Sequence, residues 1–278
     1  MAEPQTPNGA PETKEASSPP ADTLIILPVR DLVLFPKVVF PITIGRQRSV
    51  LAAQQAVREQ RQIGVLTQRD PELANPEAVD LYRMGTVANI VRFVTGTDGT
   101  HHVVCQGEER FHVTEFLSGW PYFVARVLRI PDAETRTPEI EARFLHLQRQ
   151  TIEALQLLPQ APQEMIGTIQ SVTSPGALAD LAVAYMDIPS SDKQEILETV
   201  NLAVRMEKVS RLLAHRIEVL RLSQEIGRQT KAALDQRQRE VLLREQMAAI
   251  QRQLGEGDGK AQEAAELTEA IAKAGMRS

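Results

Sequence analysis

The chain has 278 residues and a formal net charge of −5, with 42% hydrophobic and 24% charged residues, a composition typical of a globular protein of one or two domains. Aromatic residues make up only 4%, which argues against a stacking platform for single-stranded nucleic acid, and the single cysteine, Cys105, excludes an intrachain disulfide. The sequence has no run of about 18 apolar residues and no signal-peptide core near Met1, so we expect a cytoplasmic protein.

Residues 1–22 have the composition of a disordered tail. The segment contains five prolines and no large apolar residue after Met1. Such a segment buries too little apolar surface to offset the conformational entropy that is lost on ordering. We therefore predict that residues 1–22 are disordered.

Residues 23–131 carry the signals of a β-rich domain with one helix. Short runs rich in valine and isoleucine are separated by turn residues, as in an antiparallel sheet or a small barrel. Pro36 and Pro41 interrupt the run LVLFPKVVFPITIG, which favours edge strands or bulges there. The helix is predicted from Ser49, as its N-cap, to about Gln60. The other predicted strands are LIILPV from Leu24, IGVLTQ from Ile63, MGTVANIVRFV from Met84, HHVVCQG from His101, ERFHVTEFL from Glu109 and YFVARVLRI from Tyr122.

Residues 132–226 change to a helical pattern and predict an α-helical bundle. One helix is predicted from Pro138 to about Leu158 and a second from Gln163 to about Val172. A third begins with Ser174 as N-cap and Pro175 in the first helical position, a favoured helix start. This third helix is expected to continue to Asp187.

A long helix is predicted from Lys193 to Leu254, because the segment has no proline and one glycine, Gly227. As one helix it would be about 90 Å long, too long for the core of an ordinary domain. An apolar stripe that would pack on a core fades after Gly227 and returns near Leu254. We therefore predict that residues 227–278 form a projecting helix or coiled-coil linker. The first stripe comprises Met206, Val209, Leu213, Ile217 and Leu220, and the returning stripe comprises Leu243, Met247, Ile250 and Leu254.

The end of the chain suggests a fragment. The sequence GEGDG after Leu254 predicts a flexible break, and a further helix is predicted over Ala261–Gly275. The chain then stops at Ser278, directly after this amphipathic segment. We expect that the sequence is part of a longer protein.

The sequence carries no catalytic motif that we recognise. A phosphate-binding GxxxxGK[ST] loop, GxSxG and HExxH are all absent. A histidine and cysteine group near a predicted hairpin could in principle bind zinc, but no carboxylate or CxxC completes it, and ordinary sheet residues are the favoured interpretation. No catalytic residue, cofactor site or metal site is therefore predicted. The residues of this group are His101, His102, Cys105 and His112.

The long helix has a basic excess that leaves a second function open. Between Arg205 and Arg252 there are eleven Lys or Arg and six Asp or Glu residues, an excess of five that could contact phosphates. Interspersed carboxylates favour a solvated helix with internal ion pairs instead. A coiled-coil protein that binds nucleic acid stays an alternative, and a stand-alone metal enzyme is a third hypothesis.

Three separated segments resemble the N-terminal region of the Lon family of ATP-dependent proteases. They are Leu27–Val50, Ser174–Glu198 and Leu242–Glu256, and the resemblance covers roughly residues 24–276. The departures are Val29, where leucine is usual, and Gln47, where a charged residue is common. In the first segment, the residues that match are Leu27, Pro28, Arg30, Asp31, Pro36, Pro41, Gly45, Arg46 and Ser49.

This resemblance implies an α+β protein in which a β-rich, PUA-like pseudobarrel is followed by an α-helical bundle that runs into a long projecting helix. It implies the substrate-recognition and assembly region of a Lon-like serine protease that degrades misfolded and regulatory proteins. The ATPase and protease modules, with their ATP, Mg and Ser-Lys dyad, would lie beyond this chain, which should be inert as a protease. The implied partners are unfolded or tagged proteins and other copies of the chain, as a hexamer in the parent protein.

An unfolded substrate offers apolar side chains and free backbone, so its binding surface needs exposed apolar residues and room for strand pairing. The proline-interrupted run before Gly45 is the best candidate, and Phe35 and Phe40 are expected to be partly exposed there. The returning stripe of the long helix could contact substrate or neighbouring copies. The predicted contact residues are Phe35, Pro36, Phe40, Arg46, Arg48, Met247 and Ile250.

Overall fold

The computed structural model describes residues 19–96, 100–132, 136–158, 163–253 and 256–274. Most of the predicted disordered tail, residues 1–18, therefore lies outside the described residues. The prediction is wrong for residues 19–22. Arg61 donates hydrogen bonds to the carbonyl oxygens of Pro19 at 2.7 Å and Pro20 at 2.8 Å, which ties this backbone to the folded core.

Six strands form one sheet that closes on itself. In space the strands follow the order β2-β5-β4-β3-β1-β6, and β6 also pairs with β5, so that five strands form a ring and β2 lies outside it. This closed sheet is the pseudobarrel expected from the resemblance. The strands are β1 (Thr23–Val29), β2 (Val39–Ile44), β3 (Ile63–Thr67), β4 (Met84–Thr95), β5 (His101–Leu117) and β6 (Phe123–Ile130).

Strand β5 closes the ring because it is long enough to pair with β2 and then with β6, while it also pairs with β4. Its first part pairs with β2 through His101–Gln106, and its second part pairs with β6 through Arg110–Leu117. Two separate strands were predicted here, and that prediction is wrong, since Gly107 and the two following glutamates continue the strand. The 17-residue strand is therefore the element that holds β2 against the barrel.

The parallel pair β1 and β3 forms the centre of the sheet. Every residue of both strands is buried, which agrees with their almost continuous apolar sequences. Alternate β1 side chains enter two cores: Ile25 and Leu27 pack towards the first helix, and Leu24 and Ile26 pack towards Phe111.

The first helix, α1 (Gln47–Glu59), begins before the predicted N-cap. Arg46 occupies the N-cap position without a side-chain cap, and its carbonyl accepts the Val50 N–H at 3.0 Å. The prediction of Ser49 as N-cap is wrong because Ser49 already lies in the first helical turn, where it is buried. At the other end, Gln60 adopts a left-handed φ of 52°, as is common after a helix.

In the part of the chain that the structure describes, six further helices follow the barrel. Thr137 and Ser174 cap α2 and α4 through their side-chain oxygens, each followed by proline, and the predicted start at Ser174 is thereby confirmed. The predicted end at Asp187 is too late, since α4 ends at Ala184. The helices are α2 (Pro138–Gln156), α3 (Gln163–Ser171), α4 (Pro175–Ala184), α5 (Ser190–Glu198), α6 (Leu202–Gln253) and α7 (Glu256–Lys273).

The predicted long helix exists, but it begins later than expected. It is interrupted at 199–201, where the Asn201 side chain accepts the Val204 N–H at 3.1 Å and starts α6. From there α6 continues through Gly227 for 52 residues. The predicted break over GEGDG is wrong from Glu256 onwards, because α7 already begins there.

The described structure divides into two compact units, one ending at Ile217 and the other beginning at Glu218. The first contains the barrel and the helical bundle, so the predicted α+β class is confirmed. Three residues from the segment before β2, Val33, Phe35 and Val38, belong to the core of the bundle. The predicted first stripe of the long helix also enters this core, with Met206, Val209, Leu213 and Ile217 buried.

A buried charge cluster joins the barrel to the bundle. Arg110 of β5 donates to Asp180 of α4 at 2.7 Å, to Asp132 after β6 at 3.2 Å and to the Leu197 carbonyl at 2.9 Å. Arg205 of α6 donates to Asp132 at 2.9 Å. The side chains of Arg110 and Asp180 are completely buried, so this cluster connects the barrel and the bundle in the interior of the first unit.

Candidate functional site

Strand β2 lies at the end of the strand order and pairs with β5 along one edge. The Gly107 N–H donates to the Val38 carbonyl at 2.9 Å. This bond determines which residues of β2 direct their backbone groups towards β5. In this register Phe40 and Ile42 pair with β5, whereas the backbone groups of Val39, Pro41 and Thr43 point to the opposite side. Among the described residues, no other strand pairs with β2.

The position of β2 depends on a close backbone approach at Gly107. A Cβ atom at this glycine would lie 2.2 Å from the Phe35 carbonyl oxygen, so no other residue fits without a backbone shift. Lys37 adopts a left-handed φ of 63° and its N–H donates to the Gly107 carbonyl at 2.9 Å. The turn before β2 is therefore held directly against β5, and β2 begins at Val39 shortly after this turn.

A groove of about 670 Å³ runs beside β2. One wall is β2 itself, from Phe40 to Ile44, and the other is the end of β1 with the following Arg30, Asp31 and Leu32. Ligand sites in proteins commonly have volumes of about 300–1,000 Å³. The groove is therefore large enough for a short extended segment, and its apolar walls carry a few polar groups.

Arg46 lies where this groove meets a second one of about 380 Å³. It donates to the Gln68 side chain at 2.7 Å and to the Leu73 carbonyl at 3.3 Å, but its buried Nε has no hydrogen-bond partner among the described residues. Burial lowers the pKa of the Arg46 guanidinium, and the positive charge of Arg30 lowers this pKa further. The groove is thus lined by the Arg46 guanidinium group, whose Nε makes no hydrogen bond with the described residues.

Two further arginines flank Arg46. Arg30 donates a long hydrogen bond of 3.4 Å to the Ala74 carbonyl, and Arg48 lies 4.5 Å from the centre of the Phe123 ring. In the part of the chain that the structure describes, none of the three forms an ion pair with a carboxylate. Asp31 and Glu77 line the two grooves but make no such pair with them.

The structure brings some of the predicted contact residues together and separates others. Phe40, Arg46 and Arg48 lie at the two grooves, and Phe40 is half-buried. The prediction that Phe35 is partly exposed is wrong, since its exposure is 0% and the neighbouring Pro36 is also buried. The tight turn against Gly107 directs Phe35 into the bundle core instead.

Sequence reasoning overlooked Arg30 and Thr43 as groove residues. Pro41 was the available signal, because a proline inside a strand indicates an edge whose outward backbone is unpaired. Alternation around Pro41 would then have placed Thr43 on the outward side. The proximity of Arg30 to Arg46 depends on the turn between β1 and β2, which periodicity does not determine.

The second unit carries the two remaining predicted contact residues. Met247 and Ile250 are 62% and 53% exposed on α6. The exposed apolar residues of α6 also include Leu222, Ile226 and Leu234. Such a helix presents apolar side chains that can pack on another helix or on a flexible substrate.

The histidine and cysteine group does not converge on a metal-binding geometry. His101, His102, Cys105 and His112 all lie on β5, whereas His112 was expected on the following strand. His101 stacks on Phe93 with 5.6 Å between ring centres. Among the described residues, no group of three or more His, Cys, Asp or Glu could hold a metal ion. Burial raises the pKa of the Cys105 thiol to about 12.

The fold and the groove define an α+β binding module with a closed barrel, an open strand edge and a helical bundle. Residues 23–215 match the family described as the ATP-dependent protease La (LON) substrate-binding domain. The chain belongs to this family. Among the described residues, no helix is both long and apolar enough to cross a membrane.

Related proteins agree with this assignment. The chain is 61% identical over 262 residues to the Lon protease of Methylocella silvestris and 51% identical over 270 residues to that of Phenylobacterium zucineum. These matches cover 94% and 97% of this chain but 32% and 34% of the relatives, so the chain spans about a third of their length.

A solved structure shares the fold. The N-terminal domain of a Mycobacterium avium complex Lon protease superposes with a TM-score of 0.59 and 24% identity. The match covers 70% of this chain and 98% of that domain. It supports the arrangement of strands and helices described above.

Proposed function

We propose that the chain is the substrate-recognition and assembly region of a Lon-like ATP-dependent serine protease and that it binds unfolded protein segments. The main support is the open edge of β2 beside a groove with apolar walls. An unfolded chain has unpaired backbone groups and exposed apolar side chains, and this surface offers partners for both.

The catalytic steps of the parent protein would take place outside this chain. The relatives are Lon proteases about three times as long as the matched segment, and ATP, Mg and a Ser-Lys dyad would belong to the modules in the rest of such a protein. The present sequence contains no phosphate-binding loop. In this proposal the chain selects misfolded and regulatory proteins, and the catalytic modules degrade them in the cytoplasm.

The assembly role is proposed for residues 227–278 and the adjoining part of α6. Exposed apolar side chains such as Met247 and Ile250 are costly to leave in water, and packing against a helix of another copy would bury them. In the parent protein this contact would contribute to a hexamer. The domain limits that accompany this proposal are 23–131 for the barrel and 132–226 for the bundle.

Nucleic-acid binding by α6 is the alternative, supported by its basic excess. Several of these cations already have acidic partners: Arg228 lies 3.0 Å from Glu225, and Arg211 lies 3.5 Å from Glu207. Such pairing reduces the charge available for phosphates. A DNA affinity that falls steeply with salt concentration would support this alternative.

The test is a titration of the 278-residue chain with a permanently unfolded protein, reduced and carboxymethylated lactalbumin, and with the same protein folded. We expect saturable binding of the unfolded form and at least tenfold weaker binding of the folded form. Equal affinity for both forms, or binding only to DNA in the parallel titration, would contradict the proposal.

A further inference from the structure

Two properties of the groove beside β2 together define a more specific ligand. The first is the open backbone of β2, whose residues from Phe40 onwards line the groove and whose first residue, Val39, directly precedes them. Val39 and Thr43 each direct an N–H and a C=O away from β5, and Pro41 directs only a C=O. An added strand can therefore form hydrogen bonds with Val39 and Thr43, on either side of a position that has no donor.

The second property is an excess of positive charge. Arg30 and Arg46 line the groove close enough for Arg30 to perturb Arg46, and Arg48 lines the adjoining groove. Among the described residues, no carboxylate forms an ion pair with any of the three. A ligand carboxylate would form charge-assisted hydrogen bonds with the guanidinium groups that line the groove and would offset the repulsion between them.

We propose that the groove binds an extended acidic peptide segment by strand addition to β2, with a Glu or Asp carboxylate of the peptide held by Arg30 and Arg46. This inference rests on the proposed substrate-recognition function and names the substrate class of the same site. It predicts that a degradable protein is selected by an exposed strand-forming segment that contains an acidic residue.

The two properties contribute in different ways. Backbone pairing is independent of sequence, so it lets the groove accept many segments that can extend. The arginines add a preference, because an acidic segment forms charge-assisted hydrogen bonds with their guanidinium groups, whereas a neutral segment offers only weaker, uncharged acceptors. Side chains alternate along a strand, so one acidic residue among alternating small apolar residues meets both requirements.

The test uses a fluorescent nine-residue peptide of sequence STVTETVTS and the full 278-residue chain. A second peptide replaces the central glutamate by glutamine. A third keeps the glutamate but carries N-methyl groups on alternate backbone amides of the edge that would pair with β2. The protein variants are Arg46→Gln, Arg30→Gln and the control Arg58→Gln, which removes the same charge from an exposed site in the last turn of α1.

We expect the glutamate peptide to bind about tenfold more tightly than the glutamine peptide, the factor expected for one charge-assisted contact. Arg46→Gln and Arg30→Gln should each remove most of this preference, and Arg58→Gln should keep it. Arg30→Gln decides the question if Arg46→Gln proves unstable, because Arg30 has few contacts. The N-methylated peptide should bind at least tenfold more weakly.

Several results would overturn the inference. Equal binding of the glutamate and glutamine peptides would exclude the carboxylate contact, and unchanged binding of the N-methylated peptide would exclude strand addition. A single-stranded DNA oligonucleotide that binds more tightly than the glutamate peptide would assign the arginines to phosphate. If no peptide binds but unfolded lactalbumin does, the inference fails while the proposed function stands; if neither binds, both fail.

Discussion

At the scale of single residues, Arg46 departs from the usual rules of helix initiation. N-cap positions favour Ser, Thr, Asp or Asn, whose side chains contribute about 1 kcal/mol by accepting a backbone N–H. Arg46 makes no such bond and instead extends to Gln68 and Leu73 at the groove. A residue that violates a local rule without an evident structural gain is often functional.

Phe40 leads to a prediction about the binding of unfolded protein. Its half-buried side chain lines the groove, so Phe40→Ser should weaken binding of unfolded lactalbumin about fivefold or more, as expected for an interface apolar anchor. Fluorescence anisotropy titrations measure the effect. The control is Val91→Ser, which changes an apolar residue of β4 that is 60% exposed and does not line the groove.

Equal losses in the Phe40→Ser and Val91→Ser variants would show that general surface hydrophobicity, and not the groove, determines binding. A thermal melt of each variant accompanies the titration, because Phe40 also packs against the barrel core. A loss of binding supports the prediction only if the melt shows that the variant remains folded.

Cys105 provides a probe of barrel opening. Its side chain is completely buried and its pKa is raised to about 12, so the folded state holds a neutral thiol at pH 8. An unfolded chain would have an ordinary thiol with a pKa of about 8.5. We therefore expect an aromatic disulfide reagent to modify native Cys105 only at the rate of barrel opening and to modify it rapidly in urea.

The same shift sets the pH dependence of barrel stability. Because the thiol pKa is raised on folding, the contribution of Cys105 is complete below pH 8.5 and is lost as the pH rises towards about 12. A Cys105→Ala variant should lack this component of alkaline destabilisation in urea unfolding measured from pH 8 to 10. Rapid modification of native Cys105 at pH 8, or identical pH profiles for the two proteins, would contradict the assignment.

At the scale of elements, β2 shows how a strand can be ordered while one edge stays open. Pro41 cannot donate on its outer side, so a strand added there has one hydrogen bond fewer than on a fully competent edge. This reduces uncontrolled pairing between copies, which is a general risk of edge strands. A strand edge that binds substrate must leave some backbone groups unpaired, but too many unpaired groups would promote aggregation of the protein itself.

The long helix α6 leads to a prediction about self-association. Met247→Ser with Ile250→Ser should raise the dissociation constant for association between copies about tenfold, because two exposed apolar side chains lose their burial in the interface. Sedimentation velocity over a concentration series measures the effect. The matched control is Leu267→Ser with Ile271→Ser on α7, whose side chains are similarly exposed at 62% and 54%.

The assembly proposal would be contradicted if the unmodified chain stayed monomeric at every concentration. An equal change in the α7 control would place self-association outside the predicted segment of α6. Binding of unfolded lactalbumin should be unchanged in the α6 variant, because the groove lies in the other unit. A loss of that binding would assign substrate contact to α6.

At the scale of the molecule, the buried charge cluster connects the element that carries β2 to the helical bundle. Arg110 lies on β5, and its partners belong to the segment after β6, to α4 and to the end of α5. Burial raises the pKa of Asp180, and the charges of Arg110 and Arg205 oppose that rise. Removing Asp180 therefore leaves the buried Arg110 with Asp132, which it shares with Arg205, as its carboxylate partner among the described residues.

We predict that Asp180→Ala lowers the free energy of unfolding by about 3–5 kcal/mol, the usual cost of breaking a buried ion pair. Urea unfolding followed by circular dichroism measures this. The control Asp187→Ala removes a carboxylate that is 93% exposed and lies 3.6 Å from Arg216, and it should change stability by less than about 0.5 kcal/mol. Equal effects of the two substitutions would show that the cluster does not stabilise the fold.

Much of the fold was predictable because hydrophobic periodicity and capping residues act locally. The buried strands β1 and β3, the start of α4 at Ser174 and the buried stripe of α6 all follow from such patterns. The wrong predictions concern residues whose structure depends on contacts with residues far away in the sequence. The continuity of β5 depends on two partner strands, and the burial of Phe35 depends on its approach to Gly107.

The candidate site was predictable only in part for the same reason. Pro41 indicated an edge, and Arg46 and Arg48 were predicted as contact residues because they follow the turn at Gly45. The meeting of Arg30 with Arg46 is a tertiary contact between the end of β1 and the start of α1, so no periodic pattern reports it. The interruption at 199–201 depends on a single asparagine cap, whose effect on a strongly helical sequence is easily overlooked.

In the proposed function, the open edge of β2 receives unfolded protein. Amide hydrogen exchange of the 278-residue chain, resolved to single residues and measured with and without saturating unfolded lactalbumin, tests it most directly. We predict slower exchange at the outward N–H groups of Val39 and Thr43, and little change at exposed amides elsewhere in the barrel. Unchanged exchange along Val39–Ile44, with protection confined to α6 or found nowhere, would contradict the account.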